Sequence, residues 1–281
     1  TDVELWGWDG PNQKLAIVGS WENRDTFKTV TANTGRWRTT IKTPVAGGPY
    51  SISIMGSEKL VLKDVMMGEV WICSGQSNME WNVNLGSTDA AAEMPKANFP
   101  NIRFFQVPKS SSPTPQEHGE GQWAACTPQT MKSFSSVGYF FGKKLHGDLK
   151  VPIGLINVSW GGTAAEVWTP AAAVDSDPEL RAAAKALGNS EWWPKDPGIV
   201  YNSMIRPLVP YTLAGAIWYQ GESNTAAPAT YSKLMKVMIE QWRTEFQKDF
   251  PFYYVQIAPF AYGKTYEGAL IREQQSFMRS I

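Results

Sequence analysis

Five stretches of this chain, VWICSG (70–75), IRFFQV (102–107), PIGLINVS (152–159), AGAIWYQ (214–220) and FYYVQIA (252–258), are nearly continuous apolar runs of single-strand length. A strand with one wet face alternates apolar and polar residues. Runs without that alternation predict strands covered on both faces, as in a parallel sheet between two helical layers. The covers are legible between them. Val137, Phe140, Phe141 and Leu145 recur at helical spacing, with Ser135 or Ser136 placed to cap, and Tyr231, Leu234, Met235, Met238, Trp242 and Phe246 form a second one-sided stripe. Both stripes are read as core packing rather than as a ligand box. Residues 67–281 are therefore expected to form an α/β domain.

Residues 1–66 follow a different grammar. KLAIVGSW, FKTVTA, RWRTTIKT, PYSISIMG and KLVLKDV are short, rich in β-branched and aromatic residues, and separated by turn signals such as Asn33-Thr34-Gly35 and Ala46-Gly47-Gly48-Pro49. They predict a small antiparallel, sandwich-like β domain with no titratable cluster, structural or ancillary in role, with carbohydrate binding as the alternative.

Composition narrows the partners. With 26 basic and 26 acidic residues and no charged block, neither nucleic acid nor an anionic membrane surface is indicated. No run of about 18 apolar residues is present to span a bilayer. The two cysteines, Cys73 and Cys126, are too few for a disulfide framework and belong to no metal-ligand pattern. The 13 tryptophans are read mainly as core, with any exposed ones suited to stacking on sugar rings. The sequon at Asn157 falls inside an expected strand and is a poor glycosylation site.

Three strand ends carry unusual polar sequence. The first strand runs into Gly75-Gln76-Ser77-Asn78, the third into NVSWGGT (157–163), and the fourth into WYQGESN (218–224). In a parallel sheet these ends share one edge, where ligands bind. Together they offer a hydroxyl nucleophile at Ser77, a glycine pair at Gly161 and Gly162, and amide and carboxylate side chains. Acyl transfer needs a nucleophile, donors aimed at the developing oxyanion, and a base held by an acid. An ordinary polar turn after a core strand is the competing reading of Ser77 alone.

GEVWICSGQSNMEW, VPIGLINVSWGGTAAEVW, YNSMIRPLVPYTLAGAIWYQGESN and PFYYVQIAPF, in that order, together with WGW and GGPYSI near the N-terminus, resemble the sialate O-acetylesterases, a branch of the SGNH (GDSL-like) carbohydrate esterases. The resemblance implies a flavodoxin-like three-layer SGNH hydrolase fold and removal of O-acetyl groups from sialic acid or other acetylated sugars, with no cofactor and no metal. An acetylxylan-type esterase and a catalytically dead carbohydrate-binding homologue are the alternatives. It implies Ser77 as nucleophile. The N–H of Ser77, that of Gly161 or Gly162, and an amide from Gln220 or Asn224 are implied as the oxyanion hole. Glu222 is read either as the acid that orients a catalytic histidine or as a structural hydrogen-bonding residue. Gln76, Trp81, Trp168 and Asn202 are candidates to line the sugar pocket, with core packing the competing reading of both tryptophans. A secreted, periplasmic or lysosomal setting is also implied.

One element of the family pattern is missing. The resemblance places the general base in an Asp-x-x-His segment beyond Ile281, whereas this sequence holds only His118, in a loop, and His146, on an expected helix. The expectation is a companion C-terminal segment or subunit that carries the histidine. An inactive homologue and a substitute base are the alternatives.

Overall fold

The computed structural model describes residues 2–21, 26–187, 191–262 and 266–280. Its strands are β1 (Asp2–Trp8), β2 (Lys14–Gly19), β3 (Thr26–Val30), β4 (Arg36–Lys42), β5 (Gly47–Met55), β6 (Lys59–Met67), β7 (Glu69–Gly75), β8 (Phe99–Gln106), β9 (Trp123–Cys126), β10 (Ile153–Ser159), β11 (Gly215–Tyr219) and β12 (Phe252–Tyr254). The α-helices are α1 (Ser77–Glu80), α2 (Thr88–Glu93), α3 (Pro128–Met131), α4 (Ser136–Leu149), α5 (Ala171–Ser176), α6 (Pro178–Ala186), α7 (Tyr231–Glu245) and α8 (Glu267–Ser276).

The five apolar runs lie in one sheet of order β12-β11-β7-β10-β8-β9, parallel except for β9, which pairs antiparallel to β8. The run at 252–258 yields only a three-residue strand. Its ladder ends because the Ile257 N–H turns to the side chain of Gln275, at 2.9 Å. Both faces are covered, as continuous apolar runs require. Ile72, Ile156, Val158, Ala216 and Trp218 pack with Val174, Leu180, Leu234, Met238 and Trp242 of α5 to α7. On the other face Trp71, Cys73, Leu155 and Ile217 pack with Met79, Ala90, Met131 and Tyr139 of α1 to α4. The result is a three-layer α/β fold. Helix α4 begins at the serine pair, with the Ser135 hydroxyl accepting from the Gly138 N–H at 3.0 Å. Cys73 and Cys126 are buried free thiols, and burial pushes Cys126 up to about 11.

Residues 2–67 form two antiparallel sheets, β1-β4 and β3-β2-β5-β6, closed over Leu15, Ile17, Trp21, Trp37 and Ile41. Strand β1 is not among the five segments read from the sequence, and it pairs antiparallel with β4. A single residue, Gly68, joins β6 to β7. A Cβ there would sit 1.9 Å from the Pro152 carbonyl oxygen, so only glycine permits the junction.

Candidate active site

Strand β7 lies at the middle of the sheet with β10 and β11 on either side, so the three polar strand ends meet at its carboxyl edge. Gly75 turns the chain there with φ +135°, and a Cβ on it would lie 2.2 Å from the Tyr219 carbonyl oxygen. Only glycine fits. The Gln76 N–H then bonds that same carbonyl at 3.0 Å, and the chain enters α1 at Ser77. Ser77 is exposed, while Met79 two residues on is fully buried and anchors the helix. At the first helical position the Ser77 N–H has no intrahelical acceptor and is left available.

The exit of β10 is drawn beside it. The Trp160 N–H donates to the Gly75 carbonyl at 3.0 Å, and a Cβ on Gly161 would lie 3.3 Å from the Ser77 Cβ. The Gly161 N–H is engaged by Glu80 Oε2 at 2.7 Å, and Glu80 Oε1 in turn pairs with Lys109 at 2.5 Å. Gly162 adopts φ +79° beneath Trp193, whose ring atoms would lie 2.7 Å from an added Cβ.

The exit of β11 closes the other side. Gln76 Oε1 accepts from the Ser223 N–H at 3.1 Å, and Asn78 Nδ2 donates to Glu222 Oε1 at 2.5 Å. Glu222 Oε2 is buried with no hydrogen-bond partner among the described residues. Burial raises the Glu222 carboxyl above the usual carboxylate range, against the opposing hydrogen bonds from the backbone and Asn78.

Gln220 and Asn224 occupy a different place from the one expected of them. Both are fully buried. Gln220 Nε2 donates to Asn224 Oδ1 at 2.7 Å and to the Thr163 carbonyl at 3.2 Å, and Asn224 Nδ2 donates to Glu166 Oε2 at 2.8 Å. Tyr231 caps the cluster by donating to Gln220 Oε1 at 2.8 Å. These amides join the β10 and β11 exits from beneath. Glu166, absent from the sequence reading, is held up by burial and relieved by Asn224.

The pocket candidates separate. Trp168 is fully buried, edge to face with Trp218, and its Nε1 donates to Thr163 Oγ1 at 3.0 Å. Core packing is its role. Trp81 is 45% exposed at the end of α1, against its core reading. Asn202 braces the 110–116 loop, with Nδ2 donating to the Ser112 carbonyl at 3.1 Å. Glu80, Lys109, Asn78 and Trp193 were missed, although Glu80 stands three residues after Ser77, the spacing that shares a helix face.

Neither histidine joins the group. His146 Nδ1 lies 2.7 Å from the Val151 carbonyl, just before β10 begins and so at the opposite edge of the sheet from Ser77. His118 lies tilted against Trp8 of β1, with ring centroids 4.5 Å apart and the planes 35° from parallel.

The family described as carbohydrate esterase, sialic acid-specific acetylesterase, matches residues 67–280. The sialate O-acetylesterase of Pongo abelii is 31% identical over 284 residues, which cover 90% of this chain and 53% of that protein. Its Homo sapiens counterpart is 30% identical over 293 residues, with the same shares of 90% and 53%. A crystal structure of a carbohydrate acetylesterase from Xanthomonas citri superposes with a TM-score of 0.88 at 36% identity, covering 99% of this chain and 62% of that one. The chain spans about half the length of the curated relatives it matches. With the family match extending from Met67 through nearly all of the α/β sheet, this chain belongs to the sialic acid-specific acetylesterase family of carbohydrate esterases.

Proposed function

We propose that this chain carries the nucleophile, the oxyanion donors and the orienting acid of an esterase that removes O-acetyl groups from sialic acid or another acetylated sugar. The observation that carries the reading is the meeting of an exposed Ser77 with a buried Glu222 oxygen that has no partner, linked through Asn78. A buried carboxylate oxygen without a donor is costly. A histidine ring N–H satisfies it and, from its other nitrogen, takes the Ser77 proton.

In this mechanism Ser77 Oγ attacks the acetyl carbonyl carbon as the base removes its proton. The negative oxygen that forms is met by the Ser77 N–H and by the Gly162 N–H, since the Gly161 N–H is held by Glu80. Collapse breaks the bond to the sugar oxygen, which takes the proton back from the base and leaves as the free hydroxyl. Water, activated by the same base, then releases acetate and restores Ser77. Gln76 holds the β11 exit to the nucleophile turn. Trp81 and Trp193 flank the opening. The base itself is proposed to come from a companion segment.

Exogenous imidazole tests this. On 4-nitrophenyl acetate the chain alone should sit near background. Imidazole should accelerate it well beyond the same addition to Ser77→Ala, since a positioned base contributes roughly 10²–10⁴-fold and a diffusing one a fraction of that. Equal rates for the two proteins would overturn the assignment of Ser77. The acceptor sugar is resolved by comparing acetate release from O-acetylated sialic acid with release from acetylated xylan. Preference for xylan would replace sialate with the plant polysaccharide as substrate.

A further inference from the structure

A well-formed cleft lies away from Ser77. It has a volume of about 470 Å³ and is walled by β1 and β4 on one side, and by the segment around Arg206–Pro210 and the end of α7 on the other. Those last two pieces precede β11 and β12, so they sit at the amino edge of the parallel sheet. Ser77 stands at the carboxyl edge. Nothing in the proposed esterase chemistry uses this space.

The lining has two kinds of surface. Trp6 and Trp8 line the cleft, and Trp8 is 43% exposed. One side of Trp8 is occupied by His118, at 4.5 Å between ring centroids. An indole left this open to water is an unfavourable surface that a flat apolar face would cover. The second kind is ionic and balanced. Arg36 pairs with Glu117, Arg206 Nε lies 4.0 Å from Glu245 Oε2, and Arg38 pairs with Glu4 while its Nη2 donates to Gln247 Oε1 at 3.2 Å. Each arginine of the cleft is thus neutralised by its own carboxylate.

That balance decides the class of ligand. A phosphate or carboxylate would have to compete with an existing acidic partner at every arginine. A neutral pyranose does not. Its C–H face packs on the indole, and its vicinal hydroxyls both donate and accept, matching the fixed donor forks and carboxylate oxygens around the rim. The volume lies within the range of small-molecule sites, roughly 300–1,000 Å³. We propose that this cleft is a second carbohydrate site, taking neutral sugar units of a glycan and separate from the site at Ser77.

The test uses the 281-residue chain as its Ser77→Ala variant, so that ester cleavage plays no part and the outcome is independent of the esterase reading. Xylohexaose, cellohexaose and mannohexaose serve as neutral probes and oligomeric sialic acid as the anionic one, with binding read by calorimetry. The expected result is a Kd on the order of 0.1–1 mM for at least one neutral probe. Adding Trp8→Ala or Arg36→Ala should weaken it tenfold or more, with thermal unfolding showing that each variant is folded. Because Arg36 is an exposed side chain, its variant keeps the test alive if Trp8→Ala fails to fold. Absence of binding to all three neutral probes overturns the proposal. So does binding that neither substitution weakens, which would locate the sugar elsewhere, or tighter binding of the anionic probe.

Discussion

At the residue scale the site turns on two carboxylates in opposite situations. Glu222 is half-buried with its Oε2 out of contact with solvent, and its carboxyl is raised by that burial. The folded protein therefore binds this proton more tightly than the unfolded chain. Its stabilising effect is fully present below the unfolded value of about 4.3 and is lost as pH rises through the higher folded value. Glu222→Gln removes the charge without the shape. Its melting temperature should match the parent near pH 4 and exceed it by about 2 °C at pH 8, a shift that corresponds to roughly 1 kcal/mol in a domain of this size. Imidazole-dependent turnover should fall in the same protein. A gain in stability with a loss of activity separates an acid held for chemistry from one held for structure.

Glu80 is the other case. Its carboxylate takes the Gly161 N–H beside Ser77, and Lys109 neutralises it. Two negative charges about 4 Å apart repel by roughly 4 kcal/mol at an effective dielectric constant near 20, and solvent at the exposed side of Lys109 reduces this. Lys109→Ala should accordingly lower kcat about tenfold in the rescued reaction, roughly 1.4 kcal/mol in the barrier. The double variant Glu80→Gln, Lys109→Ala should recover most of it. No recovery would mean that the pair holds the turn mechanically rather than tuning its field.

At the element scale the strand end after β7 is the least tolerant position. Gly75→Ala meets both a φ of +135° and a backbone oxygen 2.2 Å away, neither of which a side-chain shift relieves. A loss of about 2 kcal/mol or more is expected, measured by urea unfolding. The five parallel strands and both long helices could be read from the chain because apolar runs and helical stripes are local signals. Strand β9 could not, since WAAC is four residues long and takes its identity from pairing with β8. The exposure of Trp81 and the burial of the Gln220 and Asn224 amides were equally hidden. Each depends on which neighbours the fold brings, and a polar cluster at a strand end looks the same in sequence whether it faces substrate or locks loops together. Ser77 stood out only when the motifs at all three strand ends were read together, because a serine in a turn after a buried strand is by itself also an ordinary polar turn.

For the molecule as a whole, the β-rich residues and the α/β sheet meet without a linker. Gly68 alone separates β6 from β7. Across the seam Arg103 forks onto Asp64 at 2.5 and 3.0 Å, and Trp6 packs edge to face with Tyr211. We therefore read the sequence boundary near residue 67 as a change of architecture inside one cooperative unit. Calorimetry should show a single transition, with van't Hoff and calorimetric enthalpies in agreement. Two resolved transitions would restore two independent domains.

The bonds that tie the three strand exits together carry a consequence for time as well as shape. The amide hydrogens of Gln76 and Trp160 are held by the carbonyls of Tyr219 and Gly75 at 3.0 Å, and that of Ala165 by Asn224 Oδ1 at 2.9 Å. None of these loops can open without breaking a bond to another. Deuterium from solvent should reach these three amides as slowly as it reaches the central strands, on the clock of global unfolding. Loops at a catalytic mouth ordinarily exchange fast. Here the rim would exchange like the core, and substrates would meet a site already set, with any gating confined to the surrounding surface.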